Sequence, residues 1–362
     1  MARRGSRYGY GSYRGRSRGR TAMKVVVGVL AVVLAAVLAL FFLQEDHMVF
    51  TKDGPHLSLP FLDGKKDPDP TPPEGSEPIV VVTTAPTPTP EPEQPVHAAL
   101  LPRTALSDGT AAAQLAELGA DTAVFDMKAD DGSLGYVSNL ETAKQAGASA
   151  SDAGLNAAVQ ALNGTELHTV ARVSCFRDNK VPYAIPRLGI KTNSGYNWRD
   201  SGDVRWLSPT SAEARQYVTD VCVELAKLGF DEILLDNCGY PTSGHLGYIK
   251  VGEAYDAAQF QTVVSAFYDQ IKAALASYPD VKLSIRTSGG VLTGGFDEAS
   301  GQSVAALLRD ADRIWADLGG TSRADAVQAL KTAGAETPDC LLVTVGTAAG
   351  STAESWAILN EI

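Results

Sequence analysis

From residue 97 onward, short β-rich runs alternate with helical patterns, and this alternation limits the fold more than any other feature of the chain. The runs fall at 98–101, 122–126, 168–174, 232–235, 281–285, 313–316 and 341–345. Helical patterns occupy 111–118, 153–162, 211–228, 256–276, 303–309 and 324–332, with a last one at 353–359. In the third, Val218, Val221, Cys222, Leu225 and Leu228 recur at spacings of three and four, which gives a helix one buried face. Ser211 suits its start and Gly229 its C-terminal cap. Strands separated by helices pair in parallel, because each needs a crossover to return in register. The 266 residues of 97–362 fit a (β/α)8 TIM barrel, which typically takes about 250. Only seven strands are counted. Either an irregular element near 204–207 supplies the eighth, or the barrel is modified or incomplete. An open doubly wound sheet is the alternative, although no glycine-rich phosphate loop follows the first strand.

Ligands of parallel β/α folds bind at the C-terminal strand ends, and these ends are unusually polar here. The second run leads into AVFDMKADDG, with Asp126, Lys128, Asp130 and Asp131. The third carries Arg172, with Asp178 just beyond, and the fourth ends in Asp236 and Asn237. The fifth holds Arg286, and the sixth Trp315 and Asp317. A charge on a buried strand is costly unless it is paired or used. Asp131-Gly132 and Asp178-Asn179 read as ordinary turns, and Asp126 with Lys128 or Arg172 as a pair holding neighbouring strands. Asp236 has the best functional case, because it ends the most apolar strand and no turn demands it.

The first 96 residues are of other kinds. Residues 1–24 hold seven Arg and one Lys with no acidic residue, as expected of a disordered basic tail. Residues 25–43 are continuously apolar and uncharged, long enough to span a bilayer of roughly 30 Å. The run ends in Phe-Phe-Leu-Gln-Glu-Asp, a poor cleavage context, so a retained signal anchor is expected. The basic flank favours a cytoplasmic N-terminus, with the rest of the chain outside the cell. Residues 44–96 contain twelve prolines and read as an extended linker holding the barrel off a membrane.

Eight of the 31 basic residues lie in the tail, which leaves 23 against 42 acidic residues elsewhere, a net charge of −19. Such a region is a poor nucleic-acid partner, since phosphate binding needs clustered cations. The cysteines Cys175, Cys222, Cys238 and Cys340 show no metal-type spacing, and no cofactor motif is present. Cys175 and Cys238 both fall near strand ends, where either a disulfide or buried free thiols would fit.

The series VFDMKADDG, ARVSCFRD, WLSP and GFDEILLDNCGYP resembles a family of bacterial glycoside hydrolase domains, largely uncharacterised, with a barrel related to the α-amylase superfamily. The resemblance covers most of 97–241 and implies that Asp236 is the strand-four acid. It also implies that Asp126, Lys128, Arg172 and Asp178 belong to the family's second and third strand-end motifs. Where that family continues with an aromatic residue, Arg and Phe-Pro, this chain has Asn237-Cys238-Gly239-Tyr240-Pro241. Chitinase-type barrels, which share FD-x-I-x-x-D, need a Glu where this chain has Cys238.

Glycoside hydrolysis needs two carboxyl groups, about 5 Å apart for retention or roughly 6.5–9.5 Å for inversion. Asp317 is the expected partner of Asp236, with Asp297 and Glu298 as the nearer loop acids. Trp206, Asn237, Tyr240, Arg286 and Trp315 join Asp126, Lys128, Arg172 and Asp178 as expected substrate contacts. The expected partner is a polysaccharide or cell-wall glycan. The alternative is a glycan-binding barrel that has lost catalysis.

Overall fold

The computed structural model describes residues 48–51, 54–57 and 94–360. The basic tail, the apolar run 25–43 and most of the proline-rich stretch lie outside the described residues. Among the described residues no helix is long and apolar enough to cross a membrane. The chain divides into two units, 1–87 and 88–362. Within the first, Met48–Thr51 and Gly54–Leu57 pair as a two-stranded antiparallel sheet, in a stretch read from sequence as linker.

The second unit is a closed barrel of eight parallel strands. In chain order these are β1 (His97–Leu100), β2 (Thr122–Lys128), β3 (His168–Ser174), β4 (Glu232–Asp236), β5 (Lys282–Ser288), β6 (Arg313–Asp317), β7 (Leu342–Gly346) and β8 (Trp356–Ile358). All seven strands expected from the sequence are present. The eighth is not near 204–207, where short bridges tie Trp206 to Arg177 and Leu207 to Gly189. It is β8, inside the stretch expected to be a terminal helix. Trp356, Ala357 and Ile358 pair with β1 on one side and β7 on the other, closing the barrel. A run of three buried residues has no room to show a period, so pattern alone could not separate strand from helix.

The larger helices are α1 (Ala111–Leu118), α2 (Leu155–Asn163), α3 (Ala212–Lys227), α4 (Phe260–Leu275), α5 (Val304–Asp310) and α6 (Arg323–Thr332). Ser211 caps α3 by accepting the Ala214 amide at 3.3 Å. Residues 347–355, between β7 and β8, carry bends and a turn but no helix.

Side chains alternate between the two faces of a strand, and the barrel is layered accordingly. Ala98, Leu100, Val124, Val170, Leu234, Trp315, Val343 and Ala357 form the inner cluster. Their neighbours, such as Phe125, Ala171, Val173, Ile233, Leu235, Ile314 and Leu342, belong to the outer core. Two residues beyond the inner apolar layer, the same alternation gives Asp126 on β2, Arg172 on β3 and Asp236 on β4. Two residues before it on β4 comes Glu232.

Candidate active site

The rim is an alternating chain of acids and guanidinium groups. Asp236 Oδ2 accepts from Arg172 Nε and from Arg286 Nη1, both at 2.7 Å. Its Oδ1 accepts the Asn237 amide at 2.7 Å. Arg172 also reaches Asp126, and its Nη2 donates to Asp130 Oδ1 at 2.9 Å. Asp130 bonds Arg177 in turn, and Arg177 Nε donates to Asp200 Oδ2 at 2.6 Å. The same Asp200 oxygen accepts the Trp206 indole N–H at 3.0 Å. A lone buried carboxylate would be forced toward its neutral form. Here burial raises the pKa of Asp236, but Arg172 and Arg286 outweigh it and hold the group at about 2. Asp236 is therefore an anion at any ordinary pH. Arg172 is held above its usual range, because Asp236, Asp126 and Asp130 outweigh its desolvation.

The strand ends abruptly after this anion. Asn237 has φ +46°, a left-handed conformation that Asn tolerates better than most side chains. Its Nδ2 donates to Ser174 Oγ at 3.0 Å and to Asp130 at 3.1 Å, fixing the turn to β3. Two residues on, a Cβ at Gly239 would meet the Ser300 carbonyl oxygen at 2.6 Å, so only glycine allows the 297–302 loop to pack there. Tyr240 donates its amide to that same carbonyl at 2.9 Å.

Asp236 opens onto a cavity of about 540 Å³ that Trp206, Asn237, Tyr240, Arg286, Phe296, Asp297 and Gln302 also line. Gln302 fixes its floor, donating Nε2 to the Arg286 carbonyl at 2.9 Å and to Tyr268 Oη at 3.0 Å. Asp297 orders its loop by accepting the amides of Ala299 at 3.2 Å and Ser300 at 3.0 Å. It is thus a second carboxyl within the cavity of Asp236. Asp126 lines a different cavity of about 840 Å³, with Arg103, Glu117 and Asp131.

Several residues expected at the site are elsewhere. Lys128 faces neither Asp126 nor a cavity: its Nζ meets Asp178 at 2.8 Å, and both side chains are fully buried. Asp178 Oδ1 also accepts the amides of Lys180 and Val181, each at 2.9 Å. A Cβ at Gly132 (φ +86°) would collide with that oxygen at 2.2 Å, so this turn exists to seat the pair. Trp315 lies inside the barrel, fully buried, its indole N–H bonded to Glu232 Oε1 at 3.0 Å. Asp317 ends β6 with an exposed side chain and accepts the Gly319 amide at 3.1 Å. It does not line the cavity of Asp236. Tyr240 lines the cavity but stacks on Phe260 at 3.6 Å, and its hydroxyl meets Thr210 at 2.6 Å. Cys175 and Cys238 are free, buried thiols.

The sequence alone assigns no role to Arg177, Asp200 or Gln302 and ranks Asp297 behind Asp317. The β3–α3 and β5–α5 loops that carry them have no period to mark an inward position. Among the described residues no cluster of His, Cys, Asp and Glu forms a metal set.

A closed parallel barrel with an anionic carboxylate in a strand-end cavity is a framework that hosts many chemistries, and the family match narrows them. Residues 111–317 match the DUF4015 family, described as "Putative glycosyl hydrolase domain", and the chain belongs to that family. Among solved structures, the glycoside hydrolase domain of PgaB (BpsB) from Bordetella bronchiseptica is 13% identical with a TM-score of 0.52, over 75% of this chain and 94% of that one. This likeness shows the shared fold. A hypothetical protein from Ruminiclostridium thermocellum is 25% identical over 52% of this chain and 96% of its own, with a TM-score of 0.44. The α-galactosidase from Lactobacillus brevis is 13% identical over 74% of this chain and 38% of its own, with a TM-score of 0.46. No curated protein sequence matches the chain.

Proposed function

We propose that the barrel is a glycoside hydrolase acting on a polysaccharide or cell-wall glycan, tethered to the cell membrane by residues 25–43 and facing outward. The observation that carries this reading is the shared cavity of Asp236 and Asp297. Cleavage of a glycosidic bond develops positive charge at the anomeric carbon and negative charge on the leaving oxygen. Asp236, fixed as an anion by two guanidinium groups, suits the first task as nucleophile or electrostatic partner. Asp297, in the same cavity, is the carboxyl assigned to the leaving oxygen as proton donor. Asp317, exposed at the end of β6, is the other candidate donor. Trp206 offers an aromatic face to a sugar ring, and Asp200 holds its indole in place. An amylase-like assignment follows only from the strand-four position of Asp236.

A second reading is a glycan-binding barrel without turnover. It is favoured by the doubly occupied Oδ2 of Asp236, which leaves for attack only Oδ1, itself bonded to the Asn237 amide. One set of variants separates the two. Wild type should release product from at least one glycan in a broad panel, and Asp236→Asn should lower that rate on the order of 10³-fold or more. Asp297→Asn and Asp317→Asn, compared on the same glycan, identify the donor. Binding without product in wild type supports the second reading, and full activity in Asp236→Asn removes that residue from the mechanism.

A further inference from the structure

The loop between β3 and α3 carries a second recessed surface, on the other side from the cavity of Asp236. Its extended stretch 205–206 presents Trp206 to that cavity and Arg205 to a separate groove of about 490 Å³. Tyr183, Lys191, Tyr196, Asn197 and Arg199 line the groove with Arg205, and no Asp or Glu does. This is unusual for a chain whose residues beyond the basic tail carry a net charge of −19. Arg199 is neutralised by Asp203, whose two carboxylate oxygens both accept from Nη1 at 2.7 Å. Among the described residues neither Arg205 nor Lys191 makes an ion pair, although Asp203 also attracts Arg205. Arg205 donates to Asn179 and lies over the Tyr183 ring at 5.0 Å. Lys191 bonds only neutral acceptors, the Pro186 carbonyl and the Asn197 amide oxygen. Tyr183 and Tyr196 are 71% and 77% exposed, among the most exposed large apolar side chains described.

A guanidinium pre-set over an aromatic ring, beside an ammonium and a second open ring, is a geometry for a sugar that carries a carboxylate. The fork takes the carboxylate bidentately, and the open Tyr196 ring takes a pyranose face. We infer that this groove binds an acidic polysaccharide through its uronic acid units, holding a polymer beside the cavity of Asp236. That the ligand is a glycan rests on the hydrolase reading; the positive character of the groove does not.

The test uses the full chain carrying Asp236→Asn, so that no probe is consumed, titrated calorimetrically with polygalacturonate. The comparators are its fully methyl-esterified form, poly(glycerol phosphate) and a single-stranded RNA. Binding to polygalacturonate should weaken with salt, and esterification, Arg205→Gln or Lys191→Gln should each weaken it about tenfold. Tyr196→Ala, on an open surface with no packing to lose, should weaken it several-fold. Equal binding of the ester, or unchanged binding in both cation variants, overturns the inference. So does tighter binding of the phosphate polymer or the RNA. Loss of hydrolysis in every assay, with polygalacturonate binding intact, would remove the hydrolase reading and leave the groove standing.

Discussion

Strand β4 points two carboxylates into the barrel, Glu232 at its start and Asp236 at its end, with Leu234 between them. Each is buried, and each meets cations. Glu232 bonds Arg313, meets His168 at 3.1 Å and accepts from Ser284 and Trp315. Asp236 takes Arg172, Arg286 and the Asn237 amide. Burial pushes both acids up, and their partners more than reverse it, so both stay ionised. The difference lies in the space beside them. Glu232 has no exposure and lines none of the cavities described, whereas Asp236 opens onto about 540 Å³ lined by a second carboxyl. A buried, well-paired acid therefore says nothing about catalysis until one asks what could reach it.

The largest effect that would break this contrast is a reversal of roles. Glu232→Gln removes the anion that Arg313 and His168 face at the buried start of β4. Breaking such a pair costs on the order of 3–5 kcal/mol, so urea unfolding should show a large loss of stability. Activity per folded molecule, on any glycan the wild type cleaves, should stay unchanged. A Glu232→Gln enzyme of normal stability and lost turnover would make the floor the functional end.

Acid should sharpen the same contrast. The pKa of Asp236 falls from its ordinary 3.8 to about 2 on folding. A depressed acid contributes stability that is full above its unfolded pKa and is lost as pH falls through the folded value. The contribution is about 2 kcal/mol, present above about pH 4 and gone below about pH 2. Glu232 is lowered too and acts with the same sign. Equilibrium unfolding between pH 5 and 2 should therefore be less pH-dependent in Asp236→Asn than in wild type. Superimposable curves would mean that the clamp on Asp236 contributes nothing to folding.

Much of the rim could be read from the chain because its residues lie on strands. Asp126, Arg172, Asp236 and Arg286 follow apolar runs whose alternation and end are visible in sequence. What could not be read was which way a residue at a strand end would turn. Lys128 follows an irregular register between β2 and β3 and reaches Asp178. Asp317 points out to solvent, although it ends its strand as Asp236 does. Asp200 and Asp297 needed the loops folded before their neighbours were known. β8 was read as helix because Ala, Glu and Leu surround three residues whose strand character comes only from closing a barrel.

Trp315 contributes a single hydrogen bond rather than a charge pair and tests the reading of the floor against the one made from sequence. Placed at a strand end beside Asp317, it looked like a platform for a sugar. In the barrel its N–H instead completes the shell of Glu232, which keeps Ser284 and Arg313 in any case. Trp315→Phe keeps an aromatic filler and removes one hydrogen bond to a charged group, a loss of about 1.5–3 kcal/mol. Thermal unfolding should register that loss, while affinity for any glycan stays at the wild-type value. Weakened glycan binding at unchanged stability would return Trp315 to the site and erase the distinction between the barrel's two ends.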